Sequence, residues 1–241
     1  MAVDIKNDST LSTNLISVWL SDASSLTQDL KGTNTLTNNG TATSTTGKQG
    51  TAVELNGSSQ YLSLADNADL SPSGAFSFAF WFNVDVITDL KPLLSKWVET
   101  SNQRSFAFTF VSGKLRIYMS NDGVNFFVVD STTTISTGTW YHCSGVFTPS
   151  TSLKVYINGT NEATNSSGIS ASIYNSNAPF EIGHANPFGG GNHYIDGRIN
   201  QVCFWNKVLT SGEITDLYSS GNGIPYESAG GATYIPKIMM S

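Results

Sequence analysis

Apolar residues recur mainly at every second position of this chain, the period of a strand with one buried face. Phe76, Phe78, Phe80 and Phe82 alternate with Ser77, Ala79 and Trp81, and Phe106, Phe108 and Phe110 repeat the pattern. Each phenylalanine set therefore shares one strand face, and a sheet that packs them into a core is favoured over an exposed platform. Further strands are predicted at Leu15 to Leu20, Ala52 to Asn56, Tyr61 to Leu64, Lys114 to Met119, Phe126 to Val129, Tyr141 to Phe147 and Leu153 to Ile157. Ser112-Gly113, Asn121-Asp122-Gly123 and Asn158-Gly159 supply the left-handed residues that tight hairpins require. Helix is nearly absent. One short segment opens with Thr210 as N-cap and Glu213 three residues later, carries Ile214, Leu217 and Tyr218 on one face, and stops at Gly221.

A length of 241 residues suits a single all-β domain with an ample core. Only 12% of residues are charged, whereas Ser, Thr, Asn and Gly together make up roughly two-fifths of the chain, which suits many turns and polar strand faces. With a net charge of -6 and its 12 Lys and Arg scattered, the chain has no basic stripe to neutralise phosphates, so nucleic acid and anionic membranes are not expected partners. No apolar run reaches the roughly 18 residues of a membrane span, and the N-terminal residues lack the pattern of a signal peptide. The chain is thus expected to be made in the cytoplasm without membrane insertion. Sequons at Asn7, Asn39, Asn56, Asn158 and Asn165 then reflect composition.

The closing third carries Phe180-Glu181-Ile182-Gly183, a glycine loop from His184 to Gly191, a long strand from Gly197, and the capped helix. Upstream lie Lys48 to Gly57, Tyr61 to Leu70, Leu93 to Trp97, Gly138 to His142 and Leu153 to Gly159. In this order the segments resemble laminin-G-like and pentraxin-like domains of the concanavalin A-like superfamily, in particular bacterial and phage laminin-G-like modules. The resemblance implies an antiparallel β-sandwich jelly roll with one short C-terminal helix. It covers residues 15–226, leaving 1–14 as a polar arm and 227–241 as a tail. Cys143 falls where pentraxins carry half of a disulfide, but the partner position is Ala79. Two buried free thiols, Cys143 and Cys203, are expected.

Glucanases of the superfamily cleave with carboxylates at alternate positions of one strand. None of the 18 acidic residues here lies two positions from another, so no catalytic residue is assigned and a non-enzymatic module is expected. His184 and His193 flank the glycine loop but lack a third zinc ligand. Many relatives bind calcium through rim-loop carboxylates, yet the matching positions here are His184-Ala185-Asn186 and about Asn102-Gln103, and an acidic position in the last strand is Asn200. A cofactor is not expected. Asp29 and Asp66 remain the candidate ligands for a structural calcium ion.

Sugar binding without calcium needs an exposed aromatic beside amides or carboxylates. Trp97 with Asn102, and Phe188 with His184, Asn186, His193 and Tyr194, offer such mixtures. The alternative is that Trp97 covers the core and Phe188 plugs a loop. Two functional readings stay open: a free lectin-like protein that binds a glycan, and a homo-oligomeric structural protein of a phage capsid or tail. The second places the chain on a virion surface or outside the cell. It assigns Tyr234, Ile235, Ile238, Met239 and Met240 of the tail to assembly.

Overall fold

The computed structural model describes residues 4–20 and 25–226. In chain order the strands are β1 (Leu15–Trp19), β2 (Thr37–Asn39), β3 (Thr43–Thr46), β4 (Thr51–Asn56), β5 (Tyr61–Leu64), β6 (Phe76–Val84), β7 (Pro92–Val98), β8 (Gln103–Val111) and β9 (Lys114–Ser120). They continue as β10 (Phe126–Thr134), β11 (Tyr141–Thr148), β12 (Ser152–Ile157), β13 (Thr160–Asn165), β14 (Phe180–Ile182), β15 (His184–Phe188), β16 (Gly191–Tyr194) and β17 (Asp196–Trp205). One α-helix, α1 (Ser211–Tyr218), follows. Every strand pair is antiparallel. One sheet runs β13-β12-β11-β6-β17-β4-β3 with β1 also on β17, and the other runs β10-β9-β8-β7-β14-β5-β2. A third, two-stranded sheet, the β15–β16 hairpin, completes the strands of the described residues.

The two phenylalanine rows meet between the sheets. Phe78 approaches Phe106 at 4.9 Å, Phe80 approaches Phe108 at 5.6 Å, and Phe82 approaches Phe110 at 5.9 Å, all fully buried. Each such ring contributes about 2–3 kcal/mol by leaving water, which fixes the register because a one-residue slip would turn every phenylalanine outward. Gly145 of β11 makes room for this layer: a Cβ there would lie 2.6 Å from the Phe108 ring.

The outer face of the β6 sheet is also apolar and needs its own cover. Ile5, Leu11, Trp205, Ile214, Leu217 and Ile224 pack there as a second buried cluster. Residues 4–14 therefore differ from the expected polar arm. Ile5 and Leu11 are buried, and the Trp205 indole donates to the carbonyl of Leu11. The helix is set as its sequence predicts, with a Thr210–Glu213 capping box and Ile214 and Leu217 turned to the sheet. Cys143 and Cys203 register with Phe80 and Ala79, consecutive residues of β6, so their thiols leave opposite faces of one sheet. Both are free and buried.

Candidate ligand-binding site

Several turns gather at the rim where β7 ends and β8 begins. Asn102 takes a φ of 54° and donates its N–H to the carbonyl of Glu99, closing the β7–β8 turn. The segment before β14 is laid against Gln103, just after that turn, by two bonds and against the end of β9 by a third. Tyr174 N–H donates to the Ser120 carbonyl at 2.7 Å, Ser176 Oγ to the Gln103 carbonyl at 3.1 Å, and Asn177 N–H to Gln103 Oε1 at 2.7 Å. Between turn and segment lies a groove of about 330 Å³ lined by Val98, Ser101, Gln103, Asn177, Ala178 and Pro179.

The groove wall is held from behind by a buried cation. Lys96 Nζ donates to the carbonyls of Ser176 and Ala178 and to Asp66 Oδ1. Burial pushes the Lys96 pKa down, and the Asp66 carboxylate opposes that shift. The charge is therefore spent on organising the wall, and none of the six lining residues is ionisable. Val98 and Pro179 offer apolar contact, while Ser101, Gln103 and Asn177 carry hydroxyl and amide groups that both donate and accept.

Beyond Asn102 the rim carries an exposed aromatic. Arg104 Nη1 donates to Asn102 Oδ1 and to the carbonyls of Gly123 and Val124, which ties the β7–β8 turn to the β9–β10 turn. Asp122 shapes the second turn by accepting from the N–H groups of Val124 and Asn125. The Asn125 amide, followed by those backbone donors, holds its carboxyl down to a pKa of about 2. Phe126 follows and is 53% exposed, resting on Tyr118 at 5.1 Å and on Trp97 at 6.1 Å.

Four of the sequence-derived site residues need correction. Trp97 and Phe188 are 1% and 2% exposed and pack on one another at 5.4 Å, so neither ring offers a face to a sugar. The glycine loop is not a loop: it forms the β15–β16 hairpin, which buries Phe188 and Ala185 against Trp97, Ala107 and Tyr118. His184 is buried between the rings of Tyr61 at 4.3 Å and Tyr194 at 4.4 Å, with Nδ1 3.0 Å from Glu181. It fastens the hairpin to β5 and β14. His193 registers with Ala185 while His184 registers with Tyr194, so the two imidazoles leave opposite faces of the hairpin. Asn186 lies in β15, and its side chain is outside the described part of the structure. Asn102 does stand at the rim, and Tyr194 keeps partial exposure beside Tyr61.

The two candidate calcium ligands are committed elsewhere. Asp29 accepts from the N–H groups of Val18, Lys31, Gly32 and Asn34, which fills its carboxylate with donors. Asp66 pairs with Lys96. Among the described residues, no group of three or more His, Cys, Asp or Glu side chains could hold a metal ion. Tyr234, Ile235, Ile238, Met239 and Met240 lie outside the described residues. Sequence reasoning placed Gln103 in a rim loop only as a lost calcium position, and missed Ser101, Asn177 and Phe126 as rim groups. The signal that could have found a rim aromatic is the turn at Asn121-Asp122-Gly123, with Phe126 three residues after its glycine.

A two-sheet antiparallel sandwich with an uncharged rim groove that mixes apolar and amide groups defines a jelly-roll domain of the lectin-like class. Residues 56–215 match the sequence profile described as the concanavalin A-like lectin/glucanases superfamily, in its laminin-G branch, and the chain belongs to that family. Among solved structures, the binding domain of Paraclostridial Mosquitocidal Protein 1 superposes with a TM-score of 0.70 at 15% identity, covering 86% of this chain and 52% of that one. Domain 4 of AbnA, a GH43 extracellular arabinanase from Geobacillus stearothermophilus in complex with arabinotriose, gives 0.65 at 21% identity, covering 84% and 97%. The binding domain of Botulinum Neurotoxin DC in complex with SialylT gives 0.67 at 13% identity, covering 86% and 52%. The chain thus spans about half the length of the toxin binding domains, and these likenesses establish the fold. The comparison with curated proteins returned no match.

Proposed function

We propose that this chain is a non-catalytic glycan-binding module and that the rim groove is its binding site. The observation that carries the reading is the lining of the groove: apolar contact from Val98 and Pro179, hydroxyl and amide groups from Ser101, Gln103 and Asn177, and no ionisable side chain. That is the chemistry of a hydroxylated, neutral ligand. Family membership supports it, as do neighbours whose structures hold arabinotriose or SialylT. Hydrolysis by the family route needs two carboxylates across the scissile bond. Here Glu99 is engaged by Gly190 N–H and the Trp97 indole, and Asp66 by Lys96.

A glycan array followed by calorimetry tests the reading with wild-type protein and the Ser101→Ala/Asn177→Ala double variant. Binding by the wild type, at least tenfold weaker in the double variant and without release of reducing ends, is the expected result. Equal binding by both proteins would place the site elsewhere, and turnover would remove the non-catalytic assignment.

A second role is compatible with the first. Tyr234, Ile235, Ile238, Met239 and Met240 make the tail sequence apolar enough to favour a partner surface. Attachment to other structural subunits, as in a phage capsid or tail, or to further copies of this chain, would place the module on a virion surface or outside the cell. Deleting 227–241 should then abolish sedimentation with the particle or the oligomer while leaving glycan binding intact.

A further inference from the structure

We propose that the groove is one end of an extended site, and that the exposed Phe126 face is a second subsite for the following sugars of an oligosaccharide. The inference rests on the glycan reading of the groove and adds to it the length of the ligand. A groove of about 330 Å³ stands at the low end of small-ligand pockets, which run from about 300 to 1,000 Å³. A longer chain of sugars seated there would continue over the rim by the route whose bonds join the groove to the Phe126 turn.

That route is the β7–β8 turn. Ser101 and Gln103 line the groove, and the intervening Asn102 is bonded to Arg104, which also bonds the carbonyls of Gly123 and Val124. Val98 of the groove follows Trp97, whose ring lies 6.1 Å from Phe126. Groove and aromatic face are thus joined twice through neighbouring residues.

Phe126 has the properties of a stacking platform. At 53% exposure it is the most exposed large apolar side chain among the described residues, and Val124 of the same turn follows at 49%. Its ring is backed by Tyr118 and Trp97, and its turn is pinned by Asp122, so little freedom is lost when a sugar ring settles on it. Asn125 directly precedes it, Asn102 lies in the β7–β8 turn that Arg104 ties to its turn, and both are exposed. They supply the amides that a pyranose edge bonds while its C–H face stacks. A second copy of this chain is the competing occupant of such a surface.

Calorimetry with arabino-, cello- and galacto-oligosaccharide ladders of one to five residues tests the proposal, using wild type, Phe126→Ala, Phe126→Trp and Asn177→Ala. For the ladder that binds, affinity should rise about tenfold or more between one and three residues. Phe126→Ala should remove most of that gain, about a fivefold loss or more, and leave the monosaccharide unchanged. Phe126→Trp should keep the gain, and Asn177→Ala should weaken every length. Length-independent affinity, or an equal effect of Phe126→Ala on all lengths, would overturn the subsite. So would a Phe126→Ala effect confined to self-association in sedimentation, which would assign the face to a second copy. Failure of every ladder to bind wild type would sink the glycan reading itself, and this inference with it.

Discussion

Lys96 and Asp66 pair across the rim, the ammonium fully buried and the carboxylate 31% exposed. The same ammonium bonds the carbonyls of Ser176 and Ala178, whose segment forms one wall of the groove. Replacing Lys96 by Met removes the charge and leaves two buried carbonyls without their donor. We expect a loss of about 2–4 kcal/mol in urea unfolding and weaker glycan binding at the groove. Asp66→Asn, which keeps an acceptor for the ammonium at a partly wet position, should cost less.

His142 makes the acid side of the stability profile steep. Its ring lies 5.0 Å from Trp81 and 6.2 Å from Tyr218 under the cover of the β6 sheet, and burial pushes its pKa down to about 3. The unfolded chain has the ordinary value near 6.5. Between these two values the unfolded state binds the extra proton, so stability falls as the pH drops through the window, by at most about 1.4 kcal/mol per unit. Urea titrations at pH 7 and pH 5 should show that fall in wild type and a smaller one in His142→Phe. An identical slope in both proteins would assign the effect to other groups.

Gly145 sets the thickness of the phenylalanine layer. Because an added Cβ would lie 2.6 Å from Phe108 Cε1 and 3.0 Å from Ile117 Cδ1, Gly145→Ala should overpack the core and cost about 1–3 kcal/mol. The companion change Phe108→Leu should recover part of that loss when combined with it. Independent, additive effects of the two changes would show that the close approach is relieved elsewhere.

The strands were legible where phenylalanine recurs at every second position. Phe76 to Phe82, Phe106 to Phe110 and the Thr210–Glu213 cap each carry their structural role in neighbouring letters. The strand β13, with the sequence Thr-Asn-Glu-Ala-Thr-Asn, carries no apolar alternation because it is an edge strand with mostly wet side chains, and periodicity passes over it. The site was harder for a different reason. Whether Trp97 and Phe188 face water depends on the β15–β16 hairpin folding across the outer face of the β8 sheet, a long-range event with no local sign. The groove residues Ser101, Gln103 and Asn177 are ordinary in a chain rich in Ser and Asn, and only the approach of residues 174–179 to the β7–β8 turn singles them out.

Asp29 should behave as a structural carboxylate without a metal ion. It accepts four backbone N–H groups from Val18, Lys31, Gly32 and Asn34. Asp29→Asn turns one acceptor atom into a donor facing those N–H groups and should lower stability by about 2–4 kcal/mol. Chelation by EDTA should leave the melting temperature of wild type unchanged. A fall of many degrees on chelation would reveal an ion site that these residues do not form.

Asn200 lies fully buried in β17, and its amide nitrogen donates to the carbonyls of Leu20, Gln49 and Thr51 while its oxygen accepts from Gln49 N–H. The carbonyls of Leu20 after β1, of Gln49 and of Thr51 at the start of β4 thus converge on one point. A neutral side chain, covalently part of the chain, takes that place. The cross-tie at this end of the sandwich is therefore written into the chain itself, since one amide of β17 gathers the ends of β1 and β4.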